Sequence, residues 1–515
     1  MSRHPLTRLA LTAALLAATL TACSSPAEPA DEGVLRVVTP YTIKNLDPVQ
    51  QGLWAPEWGY GELLMRATEH GTVEPWLLES IENRTPTGWR LDLKPGIAFH
   101  NGHPLDAAAL AAVFEANLAG NKRTQSQLAD ATVSADGPLT LDVETRHPTP
   151  NLPNLLADEG VLPVFDAAAL AVVADRSDNA AVAAAGIYTG PFAVQSLTSD
   201  RLTLKRNEAY RDGPPRLSGV EVSFVEDGQA RVLAVRAGEA DLAFYPPSEA
   251  LRNLGADVSA LTAAANPSPL RGFVNTRGPL GDVNVRRALA LAVDYRSLAE
   301  DAMDGLYSAP VGMFPASVPY ARSDLRTDAA EAARLLDASG WGIRDGIRAK
   351  DGKALTITVL SYSSQPDTAV IATALQAQLS TAGFAVEIRD VPANYEAMAD
   401  PEGWDVGLSF DSALGTTYDP LGRLHDFLHT KGQYNFGAVG DAGLDGLLDE
   451  LSAAFDPTER DRLLDAIQQT AVADEAYALF IADRPVRVVA SPAYAGYPAS
   501  SVLQHVGATT GPDAA

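Results

Sequence analysis

Trp89-Arg90-Leu91-Asp92-Leu93-Lys94-Pro95-Gly96-Ile97-Ala98-Phe99-His100-Asn101-Gly102-His103-Pro104-Leu105-Asp106 is the stretch on which the fold class turns. Trp89, Leu91 and Leu93 alternate with polar residues, which is the period of a half-buried strand. Lys94-Pro95-Gly96 is a turn, because proline presets φ and glycine accepts positive φ. Residues 97–99 predict a short strand. His100-Asn101-Gly102-His103 then predicts a turn, not a metal site. Asp106 is a good N-cap for a helix over 107–118, and Gly120 is placed to end it.

Outward from this block the alternation continues. Strands are predicted at 34–39, 139–143, 192–197, 201–206, 219–224 and 270–275. Helices are predicted at 57–65, 228–237, 282–292, 297–303 and 329–339. Strand 355–362, helix 368–382 and strand 385–390 form a β-α-β unit. Strand 404–410 leads into a glycine-containing loop, and helices near 444–455 and 457–471 follow. Late strands at 478–483 and 486–490 are free to return to the first lobe. The pattern is that of an α/β protein with partly parallel sheets. At 515 residues the chain exceeds one compact core, so two or more lobes are expected.

The N-terminus addresses compartment. Arg3, His4 and Arg8 precede an apolar run over 9–20. That run is shorter than the roughly 20 residues a membrane-spanning helix needs, and it fits a secretory signal. Leu20-Thr21-Ala22-Cys23 resembles the lipobox of bacterial lipoproteins, which implies diacylation of Cys23. Cys23 is the sole cysteine, so no disulfide forms within the chain. Residues 24–32, rich in Ser, Pro, Ala and acid, read as a tether. The formal charge of −26 becomes more negative once Arg3 and Arg8 leave with the signal. Such a body is repelled by nucleic acid and anionic lipid, which makes both poor partners.

Several blocks, in order, carry a family likeness. Pro75-Trp76-Leu77-Leu78-Glu79-Ser80 precedes the stretch quoted first. Thr189-Gly190-Pro191-Phe192 is followed by Leu204-Lys205-Arg206-Asn207-Glu208-Ala209-Tyr210 and Gly213. Gly238-Glu239-Ala240-Asp241, then Val285-Arg286-Arg287-Ala288-Leu289 with Ala292-Val293-Asp294, and Leu335-Leu336 before Gly340-Trp341, complete the set. Together they resemble the extracytoplasmic solute-binding protein family 5, the peptide/nickel/opine-binding components of ABC importers. The resemblance implies a type II periplasmic-binding-protein-like α/β fold: two lobes with an extra domain, a discontinuous first lobe and hinge closure over a cleft. The expected division is a signal peptide at 1–22 and a lipidated tether at 23–33. Lobe I is expected at 34–55, 185–265 and 480–510, its extra domain at 56–184, and lobe II at 266–479. Residues 313–321 and 347–355, with Gly415 and Tyr418-Asp419-Pro420, look most like the nickel-type branch.

The same resemblance nominates ligand-binding residues. Trp54 falls on a loop where the nickel-type branch places a ligand-facing residue, and Trp58 sits one turn later; either is also a candidate for the core. The loop after strand 404–410 reaches into the cleft in the family and holds Asp411, Leu414, Gly415 and Tyr418. In dipeptide-binding relatives an aspartate near Asp411 pairs with the ligand's amino terminus. Tyr395 matches an aromatic less directly. His425 and His429 stand at i, i+4 spacing, which suits a metal on one helix face or simply a solvated helix surface. The branch's histidine falls nearer Gly432 or Gln433, its tryptophan is replaced by Leu414, and its arginines have only Lys122 and Arg123 nearby.

The reading is therefore a monomeric substrate-binding lipoprotein at the outer face of the membrane. It takes a small peptide or peptide-like solute, works with ABC permease and ATPase subunits, needs no cofactor and catalyses nothing. A nickel-chelate receptor is the alternative. A secreted acidic glycoside hydrolase is a remote one, since no Gly-x-Ser-x-Gly elbow, phosphate loop or His-Glu-x-x-His is present.

Overall fold

The computed structural model describes residues 33–51, 54–69, 71–263, 268–411, 419–502 and 504–513. Cys23 and its tether, and Leu414, Gly415 and Tyr418, lie outside the described residues.

Two sheets organise the chain. The first has seven strands in the order Ser259–Thr262, Arg487–Ala490, Leu242–Phe244, Val34–Thr39, Gly219–Phe224, Arg201–Arg206, Phe192–Leu197. At its centre Val34–Thr39 runs parallel to both neighbours. The second has five, in the order Ala385–Val391, Thr356–Tyr362, Val406–Phe410, Ser268–Val274, Ala478–Arg484. The expected β-α-β unit is there: Thr356–Tyr362 pairs parallel with Ala385–Val391 through helix Asp367–Thr381. The strands that face both ways are nearly continuous in apolar residues, as sheets covered on both sides require. One face of the second sheet buries Leu270, Ile357, Val359 and Leu408; the other packs Phe273, Leu360 and Phe480 on helices Pro420–Leu428 and Ala442–Ala453.

The stretch quoted first belongs to a separate four-stranded sheet, Leu78–Asn83, Gly88–Leu93, Thr140–Glu144, Thr132–Ala135. Helix Ala107–Gly120 covers it with Leu110, Val113 and Phe114, all fully buried. Asp106 caps that helix by accepting from the Ala109 amide at 2.9 Å. Gly120 does not end it. Asn121 does, and Asn121 also caps the next helix, Lys122–Gln127. Glycine is needed at 120 for space, since a Cβ there would stand 2.7 Å from Val49 Cγ1. The His100–His103 turn forms as expected, with Gly102 at φ +87°. Its histidines are structural: His100 Nε2 meets the Gly190 carbonyl at 2.8 Å and His103 Nδ1 meets Asp166 at 2.7 Å.

Two expectations need correction. Residues 57–65 do not form a helix: 57–60 turn, 61–63 are irregular and Met65 opens the strand Met65–Ala67. Gly59, at φ +76°, and Gly61 interrupt the run, and this segment packs so tightly that a Cβ on Gly190 would lie 2.4 Å from the Gly59 carbonyl oxygen. And Ala478–Arg484 does not return to the first sheet. It pairs antiparallel with Ser268–Val274, and only Arg487–Ala490 crosses back.

Asp483, on that second-sheet strand, is 8% exposed, and burial pushes its carboxyl up to about 7. The folded value exceeds the unfolded one, near 4. The native state thus keeps a proton that the unfolded chain releases, and stability falls as pH rises from about 4 through about 7. Asp483→Asn is expected to gain about 4 kcal/mol at pH 8 and little at pH 4, read from urea unfolding midpoints. An equal gain at both pH values contradicts this assignment.

Candidate functional site

Parallel strands bind ligands beyond their carboxyl ends, and both sheets offer such an edge. From the first, Tyr41 follows strand Val34–Thr39 and Tyr245 follows the adjacent parallel strand Leu242–Phe244. Their rings meet edge-on at 5.0 Å, and Trp54 packs on Tyr41 at 5.7 Å. Tyr41 is 43% exposed, so this aromatic wall is open. Tyr245 is held in the left-handed region, φ +53°, a strained setting for an aromatic residue. The buried Arg231 fixes it there, donating to the Phe244 carbonyl at 3.1 Å and the Tyr245 carbonyl at 2.7 Å.

From the second sheet, Tyr362 and Phe410 end the parallel strands Thr356–Tyr362 and Val406–Phe410. The Arg484 guanidinium lies 3.8 Å from the Phe410 ring centre and donates to Gln365 at 2.8 Å. Its charge is felt by Tyr362 and Tyr307 on its own side and by Tyr41 across the gap, pulling each hydroxyl down against the larger upward effect of burial. The two edges therefore face one another. They are bridged where Ser248 donates to Asp367 at 2.7 Å and Arg252 pairs with Asp304 at 2.5 Å; farther off, Asn151 donates to Asp419 at 2.6 Å and Trp89 packs against Phe455 at 6.2 Å.

Two buried acids, Glu57 and Glu159, lie within reach of each other's charge. Glu57 is 1% exposed and sits 3.2 Å from His505 Nε2, which also meets the Tyr245 hydroxyl at 3.4 Å. Glu159 is 8% exposed; burial, reinforced by Glu57 and Asp158, holds its carboxyl well above the usual range. To the side, a cavity of about 470 Å³ opens between helix Lys122–Gln127 with its neighbours and helix Pro420–Leu428. Lys122, Arg123, Arg423, Gln433 and Tyr434 line it. Its volume falls in the range of small-molecule sites.

The sequence-derived residues divide accordingly. Trp54 is half-buried and forms part of the open wall. Trp58 is a correction: it is fully buried, edge-on to Phe244 at 5.5 Å, and belongs to the core. The Gly59 turn directs it inward, whereas a helix would have carried it to the face of Trp54. Tyr395 and Asp411 are brought together, the tyrosine hydroxyl donating to the carboxylate. Asp411 is turned inward, its side chain 10% exposed, with Arg271 4.0 Å away. Burial raises its carboxyl, and the Arg271 and Arg423 charges partly offset this. Arg271 itself is 4% exposed, stacked between Phe273 at 3.9 Å and Phe427 at 3.4 Å, and desolvation lowers it to about 10. Tyr41, Tyr245, Glu57, Glu159, Arg271 and Arg484 escaped the sequence reading. Only Tyr41 and Tyr245 carry a signal in it, since each directly follows a predicted or short apolar strand.

Among the described residues one trio, His425, His429 and Asp449, brings metal-type donor atoms within 4.8 Å of one another. The rings stack at 4.3 Å. His429 Nδ1 accepts the Lys431 amide at 2.9 Å, so the neutral ring keeps its proton on Nε2, facing Asp449 at 3.6 Å and Asp445 at 3.9 Å. A histidine that binds a metal through Nε2 donates from Nδ1, which here accepts instead. The trio is held by the ring stack and by the approach of Asp449 to His429. No helix among the described residues is long and apolar enough to cross a membrane.

Comparison with known proteins agrees with this architecture. The sequence profile of the bacterial extracellular solute-binding proteins, family 5 (middle region), matches residues 72–435. The nickel-binding periplasmic protein of Escherichia coli K12 is 25% identical over 494 residues, 90% of this chain and 92% of that one. A putative ABC transporter peptide-binding protein of Brucella abortus is 27% identical over 306 residues, 57% of this chain and 55% of its own. The crystal structure of a nickel ABC transporter protein from Bacillus halodurans superposes with a TM-score of 0.74 at 28% identity, covering 89% of this chain and 95% of that one. The oligopeptide-binding protein AppA of Bacillus subtilis, at 20% identity, shares the fold with a TM-score of 0.67 over 92% of this chain and 98% of its own.

Proposed function

The chain belongs to the bacterial extracellular solute-binding proteins of family 5, and from that premise we propose that it captures a small peptide or peptide-like solute outside the membrane for an ABC permease. The observation that carries this reading is the pair of facing strand edges. One presents Tyr41, Trp54 and Tyr245, the other Phe410 and Arg484, with few polar contacts between them. An aromatic and charged gap between two facing sheet edges suits a solute that both edges grip. Such a ligand binds the closed form more tightly and shifts the population toward it.

In this reading lobe I comprises 34–55, 185–265 and the C-terminal return, with 56–184 as its extra domain, and lobe II comprises 266–479 extended to the end of strand Ala478–Arg484. Cys23 carries the lipid anchor, the receptor is a monomer, and it performs no chemistry on its cargo. Asp411 and Tyr395 act as a positioning pair that braces the second wall, because the carboxylate is already committed to the tyrosine hydroxyl. Leu414, Gly415 and Tyr418 contribute from the loop that follows, and His429 stays outside the gap.

A nickel-chelate receptor is the second reading. The names of the Escherichia coli and Bacillus halodurans relatives favour it. Native mass spectrometry separates the two. With a pool of dipeptides and tripeptides, an adduct of peptide mass is expected. An adduct found only with nickel and free histidine replaces the peptide reading with the chelate one.

A further inference from the structure

The side cavity of about 470 Å³ takes one wall from the segment around helix Lys122–Gln127 and the other from helix Pro420–Leu428 and the turn after it. Most charges on its lining already have partners. Arg123 pairs with Asp158 at 3.0 Å, and Asp158 also accepts the Gly160 amide at 2.8 Å. Asp419 accepts from Asn151 at 2.6 Å and from the Leu421 amide at 3.0 Å, where it caps its helix. Two cations remain. Lys122 on the first wall and Arg423 on the second line the cavity, and neither has a carboxylate partner among the described residues. The chain carries 65 acidic side chains against 39 basic ones, so a lining that leaves two cations without an acid runs against its overall balance. The remaining acid of the lining, Asp426, stands on the same helix as Arg423 without an ion pair to it, and burial raises its carboxyl toward the neutral form.

The cavity adjoins the second wall of the gap. Its lining residue Tyr434 packs on Tyr395 at 5.3 Å, and the Tyr395 hydroxyl donates to Asp411 just past strand Val406–Phe410. The Phe427 ring ties the region together, 6.1 Å from Tyr434 and 5.8 Å from the Arg423 guanidinium. Arg423 is half-buried and Lys122 exposed, and both line the cavity, so a ligand inside it touches them. Gln433 and Tyr434 add neutral hydrogen-bonding groups. Such a lining suits a carboxylate, which meets lysine as a point charge and arginine through two parallel N–H bonds. A space of this size holds more than an ion and has room for the end residue of a peptide.

We propose that this cavity is the subsite for the carboxylate end of a peptide solute, held by Lys122 from one wall and by Arg423 from the other. This rests on the reading of the chain as a peptide-capturing receptor, and it narrows the solute to one with a free carboxyl terminus. The edges that carry Tyr41, Trp54 and Phe410 then take the body of the solute, and the cavity takes its negative end. Because the two cations stand on opposite walls, a carboxylate between them joins the walls. The closed form thereby gains affinity that the open form lacks.

The test is calorimetric titration of the purified chain with alanyl dipeptides and tripeptides bearing free carboxyl termini, and with the same peptides as C-terminal amides. The free acids are expected to bind and the amides to lose at least about tenfold in affinity. Arg423→Gln and Lys122→Gln are each expected to lose about tenfold for the free acid with the amide little changed, because variant and amide remove the same interaction. Both variants are expected to keep the thermal midpoint measured without peptide, since neither side chain holds an ion pair in the fold. Equal affinity for acid and amide overturns the subsite, as does a loss in both variants that is the same for acid and amide; either result leaves the peptide reading intact. Binding of neither peptide set removes the peptide reading and the subsite with it.

Discussion

Arg211→Ala is expected to destabilise the chain by about 3–5 kcal/mol, measured by urea unfolding at pH 7. Arg211 grips Glu62 with two bonds of 2.7 Å, and the Tyr210 hydroxyl donates a third at 2.7 Å. The Glu62 side chain is 0% exposed and that of Arg211 only 13%. Removing the guanidinium strands a charge in the interior with one neutral donor, which costs far more than an ordinary surface pair is worth. The double replacement Glu62→Gln with Arg211→Ala is expected to be less damaging than the sum of the two single changes, because it leaves no orphaned charge. Strict additivity would show that the pair does not interact in the way the geometry requires.

Trp58→Ala is the second large effect, at about 3–5 kcal/mol. Trp58 is fully enclosed among Phe244, Tyr497 and their neighbours, and truncation leaves a cavity that the turn at Gly59–Gly61 is too constrained to fill. Trp54→Ala provides the contrast. That indole is partly exposed, so its removal is expected to cost under about 1 kcal/mol of stability while weakening solute binding several-fold. Chemical denaturation and peptide titration on both variants separate the roles. A binding defect at full stability in Trp58→Ala would return that residue to the wall.

Much of the secondary structure was legible in local pattern. The hairpin Phe192–Leu197 with Arg201–Arg206 reads directly from alternation around a polar turn, and helix Ala107–Gly120 from its aspartate cap. Residues 57–65 misled because their apolar content satisfies a helix while Pro56, Gly59 and Gly61 oppose one; backbone geometry won. The site was less legible for a different reason. Tyr41 and Tyr245 lie about two hundred residues apart and become neighbours only through parallel pairing of their strands. Glu57, Glu159 and His505 come from three distant segments, and none stands in a pattern that marks it. Asp411 was found by likeness, yet which way its side chain turns depends on Tyr395 and Arg271, which no local pattern reveals.

The return of Arg487–Ala490 to the first sheet bears on how the molecule is made. This strand is internal, wedged between Leu242–Phe244 and Ser259–Thr262 and antiparallel to both. The second sheet draws all its strands from 268–484, an uninterrupted length of chain. That half has every partner at hand as soon as its own residues emerge. The first half must wait, holding an unfilled slot, until nearly the last residues arrive. During that wait Ser259–Thr262 has no neighbour in its sheet and Leu242–Phe244 shows a bare edge. The final stretch of the polypeptide thus acts as a keystone, and a truncation before Arg487 would leave a well-formed second half joined to a first half unable to close.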